Sequence, residues 1–228
     1  MYFKMEMERR FPDEDKVLGH ANGEFVFDSK TYFTRIGKGE IINDAPIFDY
    51  FHLESFGPKE EWEWRLQDVH SFIATGSIMG ANWYISDDFK ILLENFKIAP
   101  EYHFYETKLL YKDKKIKYWI FQFTASYRKL NKMQFIDFPE TKFSTKREEQ
   151  YVFNSYEDYT EKNEEIYDEY EENLKPLEIV LNQFFDFIPL NPITLDVIIS
   201  ENLKNAIEAM KLKGFIFSEL DYNIQIKK

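Results

Sequence analysis

The stretch Val197–Leu220, VIISENLKNAIEAMKLKGFIFSEL, decides the architecture. Its opening apolar run, Val197–Ile199, reads as a strand. Ser200 follows as an N-cap, its oxygen placed to accept from backbone N–H groups of the first helical turn. Glu201 adds a carboxylate where the positive end of the helix favours one. Leu203, Ala206, Ile207 and Met210 recur at helical spacing and predict one buried face. Gly214 takes φ > 0 without strain and stops the helix. Phe215–Leu220 is the closing strand.

The same order of signals occurs in Trp83–Leu109, WYISDDFKILLENFKIAPEYHFYETKL. Laid over one another, Ser86 falls on Ser200, Lys90 on Lys204, Glu94 on Glu208 and Lys97 on Lys211. After the helix the match needs a one-residue shift. Asp87 and Asp88 fill the first turn, Phe89, Leu92, Leu93 and Phe96 mark the buried face, and Pro100 stops the helix. A strand–helix–strand unit used twice predicts an α+β fold with an antiparallel or mixed sheet.

Outward from the first copy, Tyr102–Leu110 and Ile116–Phe123 flank the charged turn Lys112–Lys115 and predict a hairpin. In Glu61–Val69, Trp62, Trp64 and Leu66 alternate with Glu61, Glu63 and Arg65, the period of a half-buried strand. Phe135–Phe138 reads as a further short strand ending at Pro139. Within residues 1–60, short apolar runs sit between turn residues: Phe25–Phe27 after Asn22-Gly23, Tyr32-Phe33 before Gly37-Lys38-Gly39, Ile41-Ile42 before Asn43-Asp44. Such spacing favours strands over helices. The expected organisation is a β-rich section, 1–60, ahead of an α+β domain, 61–228, or one continuous domain.

Glu148–Glu172 differs in character. It holds eleven acidic residues and one basic one, Lys162, a local charge of −10 against −12 for the whole chain. Tyr156, Tyr159, Ile166, Tyr170 and Leu174 fall close to one helical stripe, with Asn163 in the slot between. This predicts an acidic amphipathic helix, an insertion at about 148–175, docked by a Tyr-rich face and ended by Pro176, with Lys175 pushed out of helical geometry.

Composition bounds the function. With 228 residues, 44% hydrophobic and 18% aromatic, the chain can bury a sizeable core. A net charge of −12 and a pI near 4.9 argue against nucleic acid and anionic membranes and favour a basic partner. The absence of cysteine excludes disulfides, thiolate chemistry and Cys-based zinc sites. No apolar run is long enough to span a bilayer, and the opening MYFKMEMERRF does not resemble a secretory signal. A cytoplasmic protein is expected.

Motifs for chemistry are weak. His20, His52, His70 and His103 are scattered without ligand spacing, so no metal and no cofactor is expected. Gly37-Lys38-Gly39 lacks the phosphate-loop pattern. Ser86 and Ser200 are accounted for as caps. No catalytic residue is expected, and the acidic helix remains the candidate surface. Its partner-binding residues are Tyr156, Glu157, Asp158, Tyr159, Glu161, Glu164, Glu165, Tyr167, Asp168, Glu169, Glu171 and Glu172. On this reading carboxylates stand in for phosphates and Tyr side chains anchor a basic protein. The competing readings are a carboxylate- or metal-dependent enzyme, with acids and a histidine converging in a deep pocket, and a regulatory protein-binding module.

Several blocks resemble a known family. They are Ile85-Ser86-Asp87-x-Phe89-Lys90, Lys97-Ile98, the Tyr102–Leu109 strand, Tyr118-Trp119-Ile120-Phe121 and Ile136-Asp137-Phe138. The block nearest the end is Ile199-Ser200-Glu201-x-Leu203-Lys204, then Lys213-Gly214-Phe215-x-Phe217 and Glu219-Leu220. Together, over roughly residues 60–228, they resemble the immunity proteins of bacterial polymorphic toxin systems: the eleventh immunity family, with the forty-third as a near neighbour. The resemblance implies a cytoplasmic antidote that binds and occludes a cognate toxin, for which a basic nuclease-type effector domain is the expected kind. It carries no catalytic residues. The acidic helix lies between the matched blocks, where partner specificity would reside.

Overall fold

A computed structural model describes residues 1–8, 16–55, 63–80, 82–123 and 133–227. The chain begins with β1 (Tyr2–Met7), β2 (Lys16–Leu18), β3 (His20–Asn22) and α1 (Ser29–Gly37). Next come β4 (Phe48–Glu54), β5 (Glu63–Arg65), β6 (Val69–His70), β7 (Asn82–Ser86) and α2 (Asp87–Leu93). The hairpin β8 (Tyr102–Tyr111) and β9 (Lys114–Phe123) precedes β10 (Lys142–Ser144), β11 (Gln150–Tyr151) and α3 (Tyr156–Tyr170). The last elements are β12 (Lys175–Leu181), β13 (Phe187–Pro189), β14 (Val197–Ser200), α4 (Glu201–Ala209), β15 (Phe215–Ser218) and β16 (Asn223–Ile226). The fold is α+β, as the sequence predicts.

The two strand–helix–strand units lie in different sheets. The first is in the mixed sheet β3-β4-β8-β9-β7-β6, the second in the antiparallel sheet β13-β14-β1-β15. In both, the unit's own strands run parallel without touching, because a third strand pairs antiparallel with each of them: β9 between β7 and β8, β1 between β14 and β15. The correspondence holds residue by residue. Ile85 faces Trp119 and Ile199 faces Phe3, while Phe121 faces Phe104 and Met5 faces Phe217. Lys90 bridges to Glu94 and lies over Trp119 and Phe104; Lys204 bridges to Glu208 and lies over Phe3 and Phe217.

A reciprocal hydrogen-bond network locks the units together. Ser86 accepts from Phe89 N and donates to Asp68 Oδ1 (2.6 Å); Ser200 accepts from Leu203 N and donates to Asp186 Oδ1 (2.6 Å). Each aspartate then turns its other oxygen to the opposite unit. Lys213 N donates to Asp68 Oδ2 (2.6 Å) and Lys97 N to Asp186 Oδ2 (3.0 Å). Backbone bonds repeat the exchange, from Asp68 N to Lys213 O and from Asp186 N to Lys97 O. Lys97 therefore corresponds to Lys213, not Lys211. The shift after the helix is two residues rather than one, because α4 has nine residues and α2 seven. Gly214 sits at φ 99, a conformation that strains any residue with a Cβ, and it lies against Gln67 and Val69 where the units meet.

Three apolar clusters follow from strand alternation. Trp83, Ile85 and Phe121 point to a core shared with Phe89, Leu92, Phe187, Ile199, Leu203 and Ile207, contributed by both units. Tyr84, Tyr118 and Ile120 point to the opposite face, where α1 supplies Phe33 and Ile36. The third core lies under α3 on the sheet β11-β10-β12-β16.

Several expectations need correction. Residues 1–60 share sheets with later segments: β1 lies within the second unit's sheet and β4 pairs with β8. Tyr32-Phe33 belongs to α1, where the i, i+3 pair Phe33 and Ile36 supplies the buried contact. Phe25–Phe27 forms turns, with Val26 buried and both phenylalanines exposed. The expected strand Glu61–Val69 is reduced to β5, and Glu61 and Trp62 lie outside the described residues. Phe135–Phe138 is a turn with one bridge, Ile136 to Leu181. The hairpin is as expected, with Lys112 (φ 48) and Asp113 (φ 61) forming its two-residue turn.

Candidate functional site

The acidic helix α3 is real and firmly seated. Ser155 Oγ accepts from Asp158 N (3.1 Å), while Asp158 Oδ2 accepts from Asn154 N (3.2 Å). These bonds satisfy donors that the first turn leaves unpaired. Tyr156, Tyr159, Asn163 and Ile166 are buried, their i, i+3 and i+4 spacing bringing them onto one stripe. The Tyr159 ring packs against Phe138, Phe143 and Phe153. Asn163 ties the following segment to the helix: its Oδ1 accepts from Leu174 N (2.7 Å) and its Nδ2 donates to Asn173 Oδ1 (3.0 Å).

Three of the expected contact residues are therefore inaccessible. Tyr156 and Tyr159 are each 3% exposed and serve as core, and Glu172 is 7% exposed. The helix also ends before Pro176, at Tyr170. Glu171 adopts the left-handed region (φ 54), and that turn carries Glu172 inward. Lys175 is outside helical geometry, as the following proline requires, and begins β12. Tyr170, expected on the buried stripe, is partly exposed with the Arg147 guanidinium 3.8 Å from its ring centre.

The other expected residues share one outer surface. Glu157, Asp158, Glu161, Glu164, Glu165, Asp168, Glu169 and Glu171 are exposed, and Tyr167 projects among them. Lys162, the one cation of the helix, bonds Glu165 Oε2 at 2.8 Å, and that bond raises the lysine's pKa. Four pairs, 157/161, 161/165, 164/168 and 165/169, stack like charges at i, i+4, each costing a few tenths of a kcal/mol. The last turn has no basic residue although the helix dipole favours one there.

Beside the foot of α3 is an open cavity of about 530 Å³ lined in part by Lys146, Glu172, Lys175, Asp196 and Tyr222. Glu172 Oε1 has no hydrogen-bond partner among the described residues. Burial pushes the Tyr222 hydroxyl pKa up, and the Asp196 carboxylate, 3.0 Å away, adds to it.

The histidines are less scattered than their spacing suggests. His70 is structural: Nδ1 donates to Gly19 O (2.6 Å) and Nε2 accepts from Gln67 N (3.2 Å), which fixes the neutral tautomer. Complete burial lowers its pKa to about 4. His20 Nδ1 lies 2.5 Å from Ser71 Oγ, a hydroxyl–imidazole pair brought together by the bond from Ala21 N to Ser71 O. His52 lies on β4 with Nε2 3.8 Å from both Glu24 Oε1 and Glu54 Oε2. One ligand atom from each of these three side chains lies within 4.8 Å of the others, the closest such gathering of a histidine and carboxylates found among the described residues. Their convergence depends on the β3–β4 register, which has no local signature.

Among the described residues no helix is long and apolar enough to cross a membrane. No family model matches the chain, and no curated protein matches it.

Proposed function

We propose that the protein is a cytoplasmic binding protein of the immunity type, which neutralises a basic protein toxin by occluding it with the outer face of α3. The observation that carries this reading is the charge that α3 holds against its own stability. Carboxylates stack at i, i+4 and extend into the last turn, where the helix dipole opposes them. Such an arrangement favours a cationic partner over an isolated helix. The buried Tyr156, Tyr159 and Ile166 side chains seat the helix before any partner arrives, so little ordering cost remains for binding. Tyr167, 52% exposed amid the carboxylates, is an aromatic anchor of the kind enriched at interfaces. The resemblance of the sequence blocks to polymorphic-toxin immunity proteins supplies the class of partner.

The test is co-expression with the product of the neighbouring gene. That product alone should arrest growth, and this protein should restore it. Replacing Glu161, Glu164, Glu165 and Asp168 together by Lys should weaken binding at least about tenfold and flatten its salt dependence, because the steering field is reversed. Failure to rescue defeats the toxin assignment, and unchanged affinity removes α3 from the interface.

A further inference from the structure

We propose that Glu24, His52 and Glu54 form a binding site for a divalent transition cation of the zinc type, separate from the α3 surface and independent of its function. The sheet brings the three together. His52 and Glu54 are two residues apart on β4 and so face the same way. Asn22 lies opposite His52 in the antiparallel pair β3–β4, and Glu24 follows it beyond Gly23. One ligand atom from each residue lies within 4.8 Å of the others. His52 Nε2 is 3.8 Å from one oxygen of each glutamate. Ligands about 2.1 Å from a tetrahedral zinc stand about 3.4 Å apart, so side-chain adjustments of a few tenths of an ångström bring the imidazole and either carboxylate into coordination, and the two carboxylates, within 4.8 Å of each other, close on the ion by rotation of their flexible side chains.

The surroundings are those of a ligand set rather than of a chance cluster. Each carboxylate is oriented by a neutral donor. Asn22 Nδ2 donates to Glu54 Oε2 (2.6 Å), and Thr75 Oγ1 donates to Glu24 Oε2 (3.3 Å), leaving Glu24 Oε1 turned to His52. Oxygen ligands to metals are commonly held by such outer hydrogen bonds, and an oxygen with two lone pairs can serve both. The Phe25 ring lies against the imidazole, centroids 5.1 Å apart at 33°, and walls one side. Gly76 lets the second wall close: a Cβ there would fall 2.2 Å from Asn22 Oδ1 and from Glu24 N, so only glycine lets the 74–77 loop press on the 22–24 turn. The same turn is held by Glu24 N donating to Asn22 Oδ1 (3.0 Å) and Gly23 N to Gly76 O (3.2 Å). Two carboxylates and one imidazole suit zinc or a neighbouring first-row dication, and three protein ligands leave a fourth position for water or an exogenous donor.

Isothermal titration with zinc chloride tests the proposal, run on the full chain at pH 7.5 and repeated below the ordinary histidine pKa of about 6.5. One equivalent should bind, more weakly at the lower pH because the imidazole must release a proton. His52→Gln should weaken binding at least about tenfold, and Glu54→Gln should do the same. Unaltered affinity in both, or no saturable binding to the unaltered protein, overturns the site. If either variant fails to fold, the imidazole nitrogen resonances of the unaltered protein decide. A zinc-induced shift at His52 Nε2 supports the site, and shifts confined to other histidines overturn it.

Discussion

The two split strand–helix–strand units share a plan but draw their middle strands from different distances. The first takes β9 from the hairpin that follows directly, with Tyr102 to Phe123 paired across a two-residue turn. The second takes β1, pairing Tyr2 with Ser200 and Met7 with Phe215. Nevertheless both put an aromatic stripe under a helix lysine, and both close the N-cap serine onto an aspartate. Equivalent packing therefore does not need equivalent connectivity. What the units require is a strand of the right alternation in the middle and a fixed crossing at the aspartates. They differ again beside the aspartates, where the first unit buries His70 and the second Ile188 at matching positions facing Tyr84 and Ile198.

Three experiments break or sharpen that comparison. The largest effect is expected from deleting residues 1–7. This leaves β14 and β15 without their shared partner and opens the common core at Met5. Loss of the cooperative thermal transition is expected. A truncated protein that keeps the native dispersion of its amide spectrum would show that β1 is dispensable.

The second separates the units by pH. His70 is neutral when folded and its pKa is lowered to about 4 by burial, so folding disfavours its protonation. Its contribution is complete above the unfolded pKa of about 6.5 and declines as pH falls towards 4, by about 3 kcal/mol in total. Urea unfolding at pH 7 and pH 4 measures this. His70→Ile, copying the second unit, should lower stability at pH 7 through the lost bonds to Gly19 and Gln67 yet reduce the acid-induced loss. An undiminished loss would place the acid sensitivity elsewhere.

The third targets the crossing. Asp186→Ala and Asp68→Ala each remove the acceptor of a serine hydroxyl and of a backbone N–H from the opposite unit, costing about 2 kcal/mol. Asp186, only 7% exposed, should cost the more. Denaturant midpoints check the order: equal losses would remove burial as the deciding factor, and negligible losses in both would show that the backbone exchange alone sets the crossing.

The parts legible in the sequence are those written locally. Ser86 and Ser200, with the lysines and glutamates that follow them, announce caps and helical faces within ten residues. The α3 stripe and the Lys112–Asp113 turn are equally local. The parts that stayed hidden depend on register between distant segments. Asp68 precedes its serine by 18 residues and Asp186 by 14, so an alignment carried backwards from the caps does not pair them. Glu24 and His52 meet only because Asn22 pairs with His52 across β3 and β4. On α3 the period marks Tyr156 and Tyr159 as buried, so these side chains cannot also serve the outer face, whereas Tyr170, on the same stripe at the helix end, is exposed. Glu172 turns inward because the left-handed Glu171 ends the helix, and no glycine signals that end in the sequence.

The position of β1 has a consequence for how the protein is made. A ribosome, at about 5–20 residues per second, releases β1 long before its two neighbours, β14 and β15. The first unit can assemble once β9 has emerged, but β1 must wait for β14 on one edge and for β15 on the other. Its sequence suits that interval: Lys4 and Glu6 alternate with Phe3, Met5 and Met7, so the strand carries opposite charges on one face. Charged residues on an open strand discourage pairing with strangers. The second unit is in this sense a clasp, closed only when β14 and β15 have emerged to hold β1.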